Sequence, residues 1–347
     1  MARYLRNDYL KIFFFPLYLF VFTLSACEND VQTEQSIKDI NSQYPKTIHS
    51  ALGTTVIPKK PERIITLGNA SEDILLSFGI MPIAIEAHHW GGDEKGYFPW
   101  FKEEARKQNK PLPQLIETYP EINIEKIIQL KPDLILATQS GLSQKAFSIL
   151  SRIAPVVAYP HKPWLISMEE NITSIAKILN IETKGANLIK TTEKSLEDFA
   201  QKIPHAQKYT CAYIKADTSN NNLYIYAPQD PRMEILKKLG FNLWQPTQNN
   251  LSFFNSFFAN IGMESANILN NADILITWYD NEKERERTEA LPLFRSIHAI
   301  ENGIYIPIQN KTLAMAMAYG SPLALYWGLA YFTNILKEKI EKYENKK

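Results

Sequence analysis

Behind the basic residues Arg3, Arg6 and Lys11, the chain opens with an apolar run from Ile12 to Leu24. At about 13 residues the run falls short of the roughly 20 needed to span a bilayer, and it fits the core of a secretory signal. Glu28 to about Tyr44 is polar without an apolar period, as expected of a flexible tether. From Arg63 onward, short apolar runs alternate with segments of helical period, the pattern of an α/β protein. Ile64 to Leu67 reads as a buried strand ending at Gly68. Ser71 is placed to cap the next helix, with Glu72 and Asp73 in its first turn and Gly79 at its end. Pro82 to Ile85 begins a second strand. Glu125 to Leu130 reads as a helix stopped by Pro132, and Asp133 to Thr138 and Val156 to Tyr159 as further strands.

The same modules return in the second half. The helix Asp73–Phe78, closed by Gly79, has a counterpart in Glu234–Leu239, closed by Gly240. Glu125 and the strand opened by Asp133 have one in Glu264 and the strand opened by Asp273. Between the halves, Ser167 and Glu170 form a capping-box pattern, and Ile172, Ile175, Ala176 and Leu179 mark one helical face. A second helix is expected from about Lys184 to Ile203, ended by Pro204. The fold class predicted is thus α/β: two Rossmann-like α/β lobes joined by a long linker helix, with a ligand cleft between them and only modest flexing. The expected boundaries are a signal peptide at 1–26, a tether at 27–50, an N-terminal lobe at 51–166, a helical linker at 167–203 and a C-terminal lobe at 204–347.

Composition adds mostly exclusions. The 347 residues are 45% hydrophobic and 22% charged, with a net charge of +1, so the chain is an ordinary globular protein with no nucleic acid as partner. Two cysteines cannot build a disulfide scaffold or a four-cysteine zinc site. Leu24-Ser25-Ala26-Cys27 resembles the lipobox of bacterial lipoproteins, which makes Cys27 the expected lipidation site. Cleavage there would remove Arg3, Arg6 and Lys11 but only Asp8, turning +1 into −1, and would leave Cys211 as an unpaired thiol.

Ligands of open α/β sheets bind beyond the carboxyl ends of the strands, where the expected loops are rich in aromatics. His88, His89 and Trp90 follow the second strand, and His161 and Trp164 the fourth. Tyr224 and Tyr226 precede Arg232, Trp278-Tyr279 follows the Asp273 strand, and Tyr319 opens the last helix. Candidate ligand-binding residues are His88, Trp90, Trp164, Tyr226, Arg232, Trp278 and Tyr319. Tyrosine and tryptophan supply flat area with a polar handle, and arginine a fixed fork for oxyanions, so a bulky, polar, anionic ligand is expected. A direct metal receptor using His88, His89 and His161 is a separate possibility, although surface or rim histidines are the simpler expectation. No G-x-S-x-G, Walker, G-x-G-x-x-G or H-E-x-x-H pattern occurs, so the chain is not expected to be an enzyme.

Several stretches together resemble the iron–siderophore solute-binding lipoproteins of ABC importers, the class III periplasmic binding proteins. They are Pro61–Leu67, Leu76–Pro82, Ile124–Ala137, Ser140–Ser143, Ile153–Tyr159, Lys162–Trp164, Tyr224–Arg232 and Ser321–Leu325. The resemblance implies a monomer without an intrinsic cofactor or protein metal ligands. It would be exported and held at a membrane by lipid on Cys27, and it would hand an iron(III)–siderophore complex to an ABC importer permease. By motif position, Glu125 and Glu264 would be the acids that dock with permease arginines. Ferric-hydroxamate binders often carry an arginine just before the first docking helix. Here that stretch reads Glu117-Thr118-Tyr119-Pro120, which leaves hydroxamate, catecholate and carboxylate siderophores open. Haem or a corrinoid is the alternative ligand on the same fold.

Overall fold

In a computed structural model, residues 43–246, 253–254 and 256–346 are described. The signal segment, Cys27 and the tether up to residue 42 lie outside the described residues. The tether expected to run to residue 50 gives way earlier to β1 (Lys46–Ser50), which pairs antiparallel with β2 (Gly53–Ile57). Its partner lies downstream, and Thr55 Oγ1 donates to Val156 O at 2.5 Å, tying the hairpin to the first lobe.

That lobe is built on a parallel five-stranded sheet of order β5-β4-β3-β6-β7. Its strands are β3 (Ile64–Thr66), β4 (Ala84–Glu86), β5 (Gln114–Ile116), β6 (Leu134–Ala137) and β7 (Val156–Ala158). The crossovers carry α1 (Ser71–Ser77), α2 (Pro99–Lys107), α3 (Ile124–Leu130) and α4 (Gln144–Leu150). Both faces are covered, so β6 is buried throughout and reads as a continuous apolar run. Ser71 is not the cap expected of it. It is the first helical residue, and its hydroxyl bonds Thr138 Oγ1 at 2.8 Å while Ala70 takes the cap position.

In the second lobe the order is β11-β9-β8-β12-β13, with β10 pairing beside β8. The strands are β8 (Thr210–Asp217), β9 (Asn222–Tyr226), β10 (Asn242–Leu243), β11 (Phe258–Gly262), β12 (Ile274–Trp278) and β13 (Ile304–Ile308). β8, β12 and β13 run parallel, whereas β9 and β11 are antiparallel. Tyr224 and Tyr226, expected in a loop, therefore lie in strand β9. Among the connecting helices are α7 (Pro231–Lys238), α8 (Glu282–Glu289), α9 (Pro292–Arg295), α10 (His298–Glu301) and α11 (Lys311–Ala318).

The duplicated modules do the same mechanical work in both lobes. Asp133, just before β6, accepts from the amide of Arg63 at 2.8 Å and fastens the start of β3. Asp273, just before β12, accepts from the amide of Thr210 at 2.8 Å and fastens the start of β8. Gly79 and Gly240 close α1 and α7 at φ 79° and 95°, as glycine permits after a helix. The match is incomplete, because Met263–Asn271 is 3-10 helix where the first lobe has α3.

Two elements cross between the lobes. The expected linker is two helices, α5 (Met168–Leu179) and α6 (Glu182–Ala200), separated by left-handed Asn180. Ser167 caps α5 through the amide of Glu170 at 3.1 Å. Ile172, Ile175 and Leu179 of α5 are buried in the first lobe, while α6 carries Leu196 into the second lobe's core. The second crossing is α12 (Pro322–Glu344). Ala324 packs with Phe98 and Trp100 of the first lobe, and Leu329, Phe332 and Leu336 join the second. No helix among the described residues is long and apolar enough to cross a membrane. Cys211 is free and fully buried in β8, and burial, with Asp273 nearby, raises its thiol well above the usual range.

Candidate functional site

The first lobe's strand order reverses between β3 and β6, and the crevice beyond the carboxyl ends at such a point is where ligands lodge. A cavity of about 500 Å³ opens there, lined by Gly68 after β3, Glu86 at the end of β4, Thr118 after β5, and Ser140 and Trp164. Glu86 ties the strand ends together: Gly68 N donates to Oε2 at 2.7 Å, and Thr118 Oγ1 to Oε1 at 2.8 Å. Gly68 sits at φ 83°, and a Cβ there would come within 2.4 Å of Gln139 O, so no other residue fits this turn. Trp164 is held at φ 67°, unusual for a bulky residue. Its amide donates to Ser140 O at 3.3 Å, and its indole lies against Gly141.

A second cluster forms in the other lobe. Asp230 caps α7 by accepting from the Arg232 amide at 3.0 Å. The Arg232 Nη1 donates back to both Asp230 oxygens, at 2.9 and 2.8 Å. The guanidinium lies 3.9 Å from the Tyr226 ring centroid, and its buried Nε has no hydrogen-bond partner among the described residues. Burial works against the charged guanidinium, but Asp230, then Tyr226 and Tyr213, hold it above the ordinary arginine range. Burial likewise raises Asp230, with Arg232 opposing. Trp278 Nε1 donates to Tyr226 Oη at 3.1 Å, which locks β12 to β9 at their ends.

Contacts between the lobes bracket the cleft. On one side, Trp90 Nε1 donates to Asp280 at 2.7 Å, and the Trp90 ring meets Trp278 edge-on at 4.9 Å. There Lys215 pairs with Glu284 at 2.6 Å and Asp280 at 3.5 Å and lies 4.0 Å from the Trp278 centroid. On the other side, a cavity of about 410 Å³ is lined by His161, Lys162 and Glu170 facing Gln229, Glu234 and Phe254. Burial, then Glu169, pushes Glu234 up to about 7.

Trp164 lines the switch-point cavity, Trp90 and Trp278 meet between the lobes, and Arg232 lies on Tyr226, which is itself buried at 6% exposed. His88 and Tyr319 do not lie on the cleft surface as expected. Tyr319 is 0% exposed and His88 8% exposed. Tyr319 Oη donates to Glu72 and bonds His88 Nε2 at 2.9 Å, and His88 meets Glu72 at 3.1 Å. Beside them, Asp73 accepts from Ser321 Oγ and from Trp100 Nε1 at 2.9 Å. These contacts bolt the α11–α12 junction to α1. Burial, then the adjacent Glu72 charge, raises the Asp73 carboxyl well above its usual range.

The direct metal receptor also fails on geometry. Each of its histidines has a separate acid: His88 pairs with Glu72, His89 with Glu117 at 3.0 Å, and His161 with Glu170 at 3.2 Å. Among the described residues no three such groups converge as metal ligands.

Glu125 and Glu264 are both exposed, each in the first turn of the segment that leads to its lobe's Asp-anchored strand. The Glu264 carboxylate folds back over Gly262, where a Cβ would lie 2.0 Å from Oε1.

Sequence reasoning missed Glu86, Thr118 and Asp230. A carboxylate ending the run Ala84-Ile85 was a visible signal for Glu86. An aspartate directly before a proline at the first helical position was one for Asp230. Thr118 had none.

Two α/β lobes joined by two crossing elements, with a cavity at the first lobe's switch point, have the architecture of a two-lobed solute-binding protein. The chain belongs to the periplasmic binding protein family, which it matches over residues 56–311. It is 27% identical over 303 residues to the probable siderophore-binding lipoprotein YfiY of Bacillus subtilis (strain 168), covering 83% of this chain and 87% of that one. It is 26% identical over 276 residues to the Fe(3+) dicitrate-binding periplasmic protein FecB of Escherichia coli (strain K12), covering 79% and 86%. The structure of Streptococcus pneumoniae TIGR4 PiaA in complex with ferrichrome superposes with a TM-score of 0.76 at 30% identity, covering 85% of this chain and 98% of that one.

Proposed function

We propose that this chain is the substrate-binding component of an ABC-type importer and carries an iron(III)–siderophore complex. The observation that carries the reading is a pair of aromatic clusters, one on each lobe: the switch-point cavity with Trp164 on the first, and Arg232 stacked on Tyr226 beside Trp278 on the second. A bulky chelate presents flat organic faces and a ring of oxygens, which such aromatics and N–H donors match. Two relatives named for iron or siderophore binding, each covered over most of its length, support the same reading. The iron arrives already chelated, so the walls need no metal ligands of their own. Tryptophans 90, 164 and 278 report on the cleft, so titrating the apo protein with ferric siderophores should change their fluorescence saturably. Tight binding of haem, cobalamin or free zinc with no response to any ferric siderophore would overturn the function.

The anchor in this reading is lipid on Cys27. Cys27→Ala is expected to give a soluble, exported protein, measured by fractionation of cells. Retention of that variant in the membrane fraction would refute the anchor.

A further inference from the structure

Resting on that reading, we infer that the cleft selects an electrically neutral, hydroxamate-type iron(III) complex over polyanionic catecholate or citrate complexes. Iron(III) held by three hydroxamates, each of charge −1, is neutral. Three catecholates, each −2, leave a charge of −3, and citrate complexes also stay anionic. Moving such a charge out of water into a half-enclosed cleft requires cations that are not already compensated.

The walls provide few of these. The charge of Arg232 is met at 2.8 Å by Asp230, which is 2% exposed and cannot turn away to solvent. Lys215 is outnumbered, with Glu284 at 2.6 Å and Asp280 at 3.5 Å. The switch-point cavity sets Glu86 and Glu121 against Lys145, and the side cavity sets Glu170 and Glu234 against Lys162. Glu234 carries only part of its charge near neutral pH, but Glu170 alone still balances Lys162. Lys311, 5.8 Å from the Trp90 centroid, is a rim cation with no ion pair among the described residues, and it is one against −3. What the walls do offer a neutral chelate is aromatic area and hydrogen-bond donors. Arg232 is prominent among these, because its partner cancels its charge while Nε and Nη2 make no hydrogen bond among the described residues. The anionic ligand that an arginine alone suggests in the sequence is thus replaced by a neutral one.

The test compares complexes that share one iron core and differ in charge. A linear ferric trihydroxamate is titrated with its terminal amine free, acetylated or succinylated, alongside ferrichrome, ferric dicitrate and a ferric tris-catecholate. Ferrichrome and the acetylated form should bind about tenfold or more tighter than the succinylated form and the two polyanions. Their affinity should barely change with salt. Asp280→Asn with Glu284→Gln, which frees the Lys215 charge, should raise affinity for the succinylated form relative to the acetylated one by about tenfold. Preference for the succinylated form or the tris-catecholate, weakening with salt, would overturn this inference and leave siderophore binding standing. No response to any ferric complex would overturn the function and this inference with it.

Discussion

Replacing Glu125 and Glu264 together by alanine should abolish uptake of the iron complex while its affinity for the isolated protein stays unchanged. Neither carboxylate lines a cleft cavity, and both project from the surface, one on each lobe. An acid at the start of a helical turn contributes about 0.3–1 kcal/mol through the dipole, so both lobes should keep their fold. Docking is another matter. An exposed acid that meets an arginine across an interface steers the encounter, and truncating a buried, hydrogen-bonded charge costs about 2–5 kcal/mol. Two such losses correspond to a fall of more than about a hundredfold in uptake. Single variants should be intermediate. Gly262→Ala should be mild by comparison, since the Glu264 carboxylate 2.0 Å from the new Cβ ends a flexible, exposed side chain that can swing aside. The checks are whole-cell uptake of radiolabelled iron complex, titration of the pure variant and its melting temperature. Normal uptake by the double variant would refute the docking role.

Asp230→Ala is expected to destabilise the second lobe strongly. It strands the Arg232 guanidinium, whose side-chain hydrogen bonds among the described residues, at 2.9 and 2.8 Å, both go to Asp230. Breaking a buried ion pair from one side costs about 3–5 kcal/mol. It also removes the N-cap of α7, worth about 1 kcal/mol. For a protein of this size the combined loss should lower the melting temperature by roughly 8–12 °C. Asp230→Asn keeps a cap acceptor and should lose about half as much. Arg232→Met in the Asp230→Ala background should recover part of the loss, because an apolar chain no longer leaves a charge unpaired. Thermal denaturation of the four proteins decides it. An Asp230→Ala protein as stable as its parent would show that the pair does not hold the wall.

The strands Ile64–Thr66 and Leu134–Ala137, the Ser167 cap of α5 and the glycines that end α1 and α7 were legible because each is a local preference. Apolar runs bury, hydroxyls cap, and glycine takes positive φ at small cost. The repeat of Glu125 with Asp133 in Glu264 with Asp273 was legible too. Its purpose was not, because it depends on amides of Arg63 and Thr210 that lie 70 and 63 residues away. The antiparallel β8–β9 hairpin escaped because apolar alternation carries no strand direction.

At the site, residue type was readable and position was not. Tyr319 and His88 carry the same chemistry as the cleft aromatics, yet α12 returns across the lobes and seals both against Glu72. Arg232 read as an anion's partner until the turn before α7 set Asp230 against it.

The sequence by itself determined the α/β alternation, the two-lobed plan and the stock of aromatic, basic and acidic groups, since these follow from short-range pattern and composition. Only the tertiary structure decided which of those groups face the cleft and which charges cancel. Burial and Coulomb pairing act between residues brought together in space, as with Trp90 and Asp280, 190 positions apart in the chain.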